Sequence, residues 1–252
     1  MPMLRRLSAF RLNEAQTLMA RGRPVEEYEN ALSLSEAAQV LWQASATLAE
    51  VRFGERRFAE AAQAYDRAIE IVKSETLTPT SPSPAEIQSL MDRAAQARLL
   101  AANDETPERG KQKFVQTAAN AGGALGGVFS PVVRGIVPRA VPMPITFEYR
   151  SATLTQFGEQ AARELLRAIR EQNPPKVRVI GHTDARGSAD YNLKLSKARA
   201  ETVANFLRAN GLAVPVEAEG VGFNEPMKIG AASGLSQDDI YALNRRVEWR
   251  RE

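Results

Sequence analysis

Asp184 and Arg199 stand fifteen residues apart in the run VRVIGHTDARGSADYNLKLSKARAETV, Val177 to Val203. The alternation of Val177 and Val179 with Arg178 predicts a strand ending at Gly181-His182-Thr183-Asp184. A helix from Tyr191 to Ala209 then carries Arg199, with Leu195, Ala198, Thr202, Val203, Phe206 and Leu207 facing inward. One acid and one base are thereby placed near the mouth of a strand–loop–helix unit. Such a pair can grip a ligand that carries both charges. A carboxylate suits the planar donor fork of arginine. An ammonium suits a carboxylate on a loop whose backbone N–H groups also face the ligand.

Other chemistries find less support. His182 is the only histidine and there is no cysteine, so disulfides, thiolate sites, cysteine nucleophiles and multi-histidine metal sites within one chain are excluded. No metal or other cofactor is expected. His182, Asp184 and a serine such as Ser188 or Ser196 could suggest a hydrolase. Triad acids orient the histidine from elsewhere in the fold, however, and no G-x-S-x-G elbow occurs. His182 is better read as structural support for its loop, and the chain is expected not to be an enzyme. The formal charge of +3 is small, and the densest basic stretch, NRRVEWRRE, contains two glutamates. That is no concentrated nucleic-acid footprint, and no nucleic-acid partner is expected.

The elements around this unit divide the 252 residues into three stretches. Residues 1–103 read as helices: 3–21, 25–34, Ser35 to about Phe53, 58–73 and 85–102. Leu4, Leu7, Phe10, Leu18 and Met19 are the expected core contacts of the first helix. Residues 104–144 are rich in Gly, Ala and Pro and read as a linker. Gly122, Gly123, Gly126 and Gly127 could instead allow a close helix pair touching a membrane, although Pro131, Arg134 and Pro138 oppose a straight span. Residues 145–252 alternate strands and helices: strand Ile145–Tyr149, helix 155–172, then the Val177 strand and its helix. Gly211 caps that helix, and strands Val214–Val221 and Arg246–Trp249 follow. The fold class is α+β, with a helical region before a βαβαβ-type α/β sandwich on a mixed sheet.

Two resemblances refine this. ATLAEVRFGERRFAEAAQAYDRAIEI is similar to a tetratricopeptide repeat, with Leu48 and Ala49 on one helix and Phe58, Ala61, Tyr65 and Ala68 on the next. ARGRPVEEYENALSL is a weaker echo, and no third repeat is completed, though such arrays need about three units for a continuous core. The helical region is therefore expected to bind a protein partner, or to be an ordinary helical bundle.

The second resemblance is more specific. GHTDARGSADYNLKLSKARAETVANFLRANG, GVGFNEP and NRRVEW, with ITFEYRSATLT before them, resemble the OmpA-like peptidoglycan-binding domains of OmpA, Pal and MotB type. The likeness covers about residues 145–252. It implies noncatalytic binding of peptidoglycan through the meso-diaminopimelate of the stem peptide. By position, Asp184 would pair with the ammonium and Arg199 would clamp the carboxylate. Asn192 matches the family asparagine, Thr183 and Leu195 would line the pocket, and Arg246 would stand beside it. Glu148 replaces the usual aspartate, and the middle of GFNEPMKIGAASGLSQDDIYALNRR departs from the common pattern. The family implies a periplasmic or cell-envelope location in a Gram-negative bacterium, with an export signal absent from this chain, and a dimer is compatible with it. A scaffold whose OmpA-like domain no longer binds the wall is the alternative.

Overall fold

The computed structural model describes residues 2–103, 132–138, 140–229 and 234–252. The expected glycine-rich pair around Gly122–Gly127 lies outside them. The chain divides into two compact units, one built on residues 2–97 with 132–137, the other including 138–252.

The first unit is helical: α1 (Pro2–Ala20), α2 (Val25–Glu36), α3 (Trp42–Gly54), α4 (Phe58–Lys73) and α5 (Pro84–Ala102), the last five residues of α5 being assigned to the second unit. Small residues bring α1 and α2 together. The Ser8 hydroxyl donates to the Ser35 carbonyl, and the Ser35 hydroxyl returns a bond to the Ser8 carbonyl, both at 2.7 Å. This clamp turns Ser8, Leu12 and Ala15 inward, and Ala15 packs with Ala31, Leu32, Leu48 and Val51. Consequently Leu4, Leu7, Phe10 and Met19 are exposed, Phe10 by 62%, and Leu18 is only half-buried. The apolar spacing of α1 had suggested the opposite face. A second correction concerns α3: α2 runs on through Glu36, and left-handed Gln39 (φ 50°) separates it from α3, which starts at Trp42 rather than near Ser35.

α4 is buried on most of its surface, through Phe58, Ala61, Ala62, Tyr65, Ala68, Ile69 and Val72. Glu50 of α3 accepts from the Tyr65 hydroxyl and from Arg93 of α5, so one carboxylate ties three helices. The sequence Ser83-Pro84-Ala85-Glu86 forms a capping box that starts α5. Arg134 donates to the carbonyls of Val72, Ser74 and Thr78, satisfying the C-terminal end of α4. That segment of the expected linker thus belongs to the helical unit.

The second unit contains β1 (Val141–Met143), α6 (Gln156–Gln172), β2 (Val177–Gly181), α7 (Ala189–Ala209), β3 (Val216–Gly220), α8 (Gln237–Asn244) and β4 (Val247–Arg251). The sheet is mixed, in the order β1-β4-β2-β3. β2 and β3 are parallel, and β4 runs antiparallel to both β1 and β2. Trp249, Met143, Leu165, Ile169, Ile180 and Leu207 fill the core. The overall class is α+β.

The first strand is Val141–Met143, not Ile145–Tyr149. Pro142 suits an edge position, where its missing N–H breaks no ladder. The Ile145–Tyr149 stretch instead turns back on itself through a single bridge, Phe147 to Leu154. α8 occupies a stretch in which no helix was expected, and Ser236 with Asp239 gives it a capping box.

The helix that matters most is α7. Gly181 and Gly220, at the ends of β2 and β3, let its backbone lie directly against the strands. A Cβ on Gly181 would come within 2.0 Å of the Ser196 carbonyl oxygen, and one on Gly220 within 2.3 Å of the Lys197 nitrogen. The Ser196 hydroxyl accepts from the Gly222 N–H at 2.9 Å, fixing this contact.

Candidate ligand-binding site

Asp184 lies one short step beyond β2 and is 7% exposed. Its Oδ1 accepts from the Arg186 backbone N–H at 3.0 Å. Its Oδ2 accepts from the guanidinium groups of Arg186 (2.7 Å) and Arg245 (3.0 Å). Burial pushes the Asp184 carboxyl up, but the hydrogen bonds from Arg186 and Arg245 outweigh it and hold the carboxyl below its ordinary range. The free carboxylate therefore already carries two cations.

Arg199 projects from α7 and is 9% exposed. Its Nε donates to the Ser151 carbonyl at 2.9 Å, and its guanidinium lies 5.0 Å from the centre of the Phe147 ring. Among the described residues no carboxylate stands within ion-pair distance of it (4.0 Å). Burial draws its pKa down and neighbouring Arg245 adds to this, while Tyr191 and Asp184 oppose it. A buried guanidinium with open donors has the chemistry to take a carboxylate, whose binding offsets the cost of its desolvation.

Asn192 and Thr183 shape the loop. The Asn192 amide donates to the Arg186 carbonyl at 2.8 Å, within the turn that contains left-handed Gly187. The Thr183 N–H donates to the Gly222 carbonyl, while its buried hydroxyl has no protein partner among the described residues. Leu195 is half-buried on α7.

Residues 146–234 match the OmpA family model. This segment is an OmpA-like domain. The chain is 34% identical over 110 residues to the Probable lipoprotein YiaD of Escherichia coli (strain K12), covering 43% of this chain and 48% of that protein. It is 36% identical over 110 residues to Outer membrane protein A of Klebsiella aerogenes, covering 41% of this chain and 31% of that protein. A solved structure of the cell wall anchor of the T6SS from Pseudomonas aeruginosa shares 32% identity over 45% of this chain and 80% of that one, with a TM-score of 0.37. The chain spans about half of the first relative and about a third of the second.

The matched segment of the OmpA-like domain ends before α8 and β4, which supply Arg245, Arg246 and Glu248. The two arginines have separate places. Arg245 faces Asp184, whereas Arg246 is buried and donates to Glu248 at 2.9 Å and to the Glu225 carbonyl at 3.2 Å. Arg245 was not singled out from sequence. Adjacent residues entering a strand point to opposite sides, so one arginine of NRR had to face the core.

His182 is 1% exposed, its backbone N–H donates to the Arg246 carbonyl, and its Nε2 lies 3.5 Å from Glu248 Oε2. That is long for a hydrogen bond, so Arg246 is the firmer partner of the carboxylate. Burial pushes the Glu248 carboxyl up, and His182 and Arg246 more than offset it, bringing it down to about 2. His182, Arg246 and Glu248 thus form a buried polar cluster, with His182 two residues from Asp184 and Arg246 next to Arg245 in the chain. No group of His, Asp and Glu positioned to hold a metal ion occurs among the described residues.

Proposed function

We propose that the OmpA-like domain holds peptidoglycan noncatalytically, by the charged end of the diaminopimelate in the stem peptide. Arg199 takes the ligand carboxylate and Asp184 the ammonium. Thr183, Asn192 and Leu195 shape the pocket wall and its loop, and Arg246 supports it from below. The observation that carries this reading is the buried Arg199, which has no carboxylate partner among the described residues although Asp184 lies close enough to influence it. The protein then tethers an envelope protein or complex to the wall of a Gram-negative bacterium, within the periplasm. The helical unit serves a protein partner, for which the exposed Leu4, Leu7 and Phe10 of α1 offer an apolar face.

Pulldown of the purified chain with isolated sacculi tests this. Asp184→Ala and Arg199→Ala each remove a desolvated charged contact, and the loss is about 2–5 kcal/mol of binding. Both variants should stay in the supernatant while keeping the circular dichroism of the parent. Retention of both on sacculi at the parent level would overturn the assignment. One observation favours the scaffold reading: Asp184 is already neutralised by Arg186 and Arg245. Under that reading the parent chain itself fails to sediment with sacculi.

A further inference from the structure

The turn between β1 and α6 is built more firmly than a surface loop requires. The hydroxyls of Thr146 and Thr155 meet at 2.5 Å, and the Thr155 N–H donates to the Thr146 carbonyl. Inside this clasp the Glu148 N–H donates to the Thr153 carbonyl, and the Ser151 N–H to the Glu148 carbonyl. The Thr153 N–H closes the tip on the Ser151 hydroxyl at 2.9 Å. Arg150 at the tip is left-handed (φ 53°), a conformation unfavourable for a side chain of its size. Strain of this kind persists where surrounding bonds over-determine it, and it concentrates at ligand-binding sites.

The loop displays Tyr149, which is 90% exposed. Tyr191, in the first turn of α7, is also exposed. Arg150 stands beside Tyr191, with its guanidinium 5.8 Å from the centre of that ring, and follows Tyr149 directly in the chain. The ledge is joined to the candidate site at two points. The Ser151 carbonyl accepts from Arg199, and Tyr191 immediately precedes Asn192.

Two exposed phenol rings and a guanidinium on neighbouring segments present flat apolar faces rimmed by hydrogen-bonding groups. A pyranose ring has the matching character, with C–H bonds on its faces and hydroxyl or acetamido groups at its edge. A stem-peptide carboxylate is better served at buried Arg199.

We propose that Tyr149, Arg150 and Tyr191 form a second subsite, which stacks an N-acetylated pyranose of the glycan strand beside the stem peptide. This rests on the wall-binding reading above. Isothermal titration of the full chain compares two probes. One is a disaccharide–tripeptide containing diaminopimelate, and the other is the same tripeptide freed of its sugars by an amidase. The parent chain should bind the sugar-bearing probe about fivefold tighter. Tyr149→Ala should bring that ratio close to one, and Tyr149→Trp should keep it. Equal affinity of the parent for both probes, or an undiminished ratio in Tyr149→Ala, would overturn the subsite. A wild-type chain that binds neither probe removes the wall-binding reading and the subsite with it. Loss of both probes in Arg199→Ala, with the sugar ratio of the parent at one, removes the subsite alone.

Discussion

Asp184 is the most crowded group of the site. Arg186 holds it through a backbone and a side-chain bond, and Arg245 through a third. A ligand ammonium must therefore share the carboxylate with Arg186 or displace it. The Arg186 side chain is 58% exposed and rests over the Tyr241 ring, so it is the easier of the two to move. Its backbone N–H and carbonyl, which organise the loop with Asp184 and Asn192, survive truncation of the side chain. Arg186→Ala should then tighten binding of a diaminopimelate tripeptide roughly two- to fivefold, the worth of an exposed ion pair. Titration calorimetry at low salt reads this directly. Weaker binding by this variant would mean that Arg186 itself contacts the ligand.

At the level of elements, the site depends on how closely α7 lies on β2 and β3. Gly181→Ala puts a methyl into the backbone of Ser196, where no flexible side chain can yield. Forced overpacking costs roughly 1–3 kcal/mol and sometimes more. The helix must shift, carrying Arg199 with it, so urea denaturation and sacculus binding should both suffer. An unchanged denaturation midpoint would show that the close approach is absent. Much of this arrangement was legible beforehand. Val177 and Val179 alternate with Arg178, and the long apolar face of α7 has helical spacing, so strand, loop and helix followed. Other elements were not legible, for physical reasons. ITFEY has a better strand pattern than Val141-Pro142-Met143, yet the Glu148 N–H donating to the Thr153 carbonyl and the Thr155 N–H donating to the Thr146 carbonyl fold it back into a loop. In α1 the apolar spacing pointed to one face, but the face turned inward carries Ser8, Leu12 and Ala15, with Ser8 and Ser35 exchanging hydroxyl bonds across the helix pair. The arginine opposite Asp184 could not be chosen from NRR without knowing where β4 begins.

Across the whole molecule, carboxylates held by arginines set the response to acid. In the helical unit, burial raises the Glu50 carboxyl while Arg93 and Tyr65 pull it below its ordinary value. In the OmpA-like unit, Asp184 is lowered and Glu248 falls to about 2, against an ordinary value of 4.5. Each group binds fewer protons in the folded chain than in the unfolded one, so stability rises with pH across its titration range. The Glu248 contribution is complete above about pH 4.5 and is lost as pH falls towards 2. Glu248→Gln separates this effect from general acid denaturation. At pH 7 the variant leaves the buried Arg246 guanidinium without its countercharge, at a cost of roughly 3–5 kcal/mol. Between pH 4.5 and 2 the parent should lose stability more steeply than the variant, so their denaturation midpoints converge as the buffer is acidified. Chemical denaturation at several pH values measures both slopes. Parallel slopes would mean that Glu248 is not held as a carboxylate by Arg246 and His182.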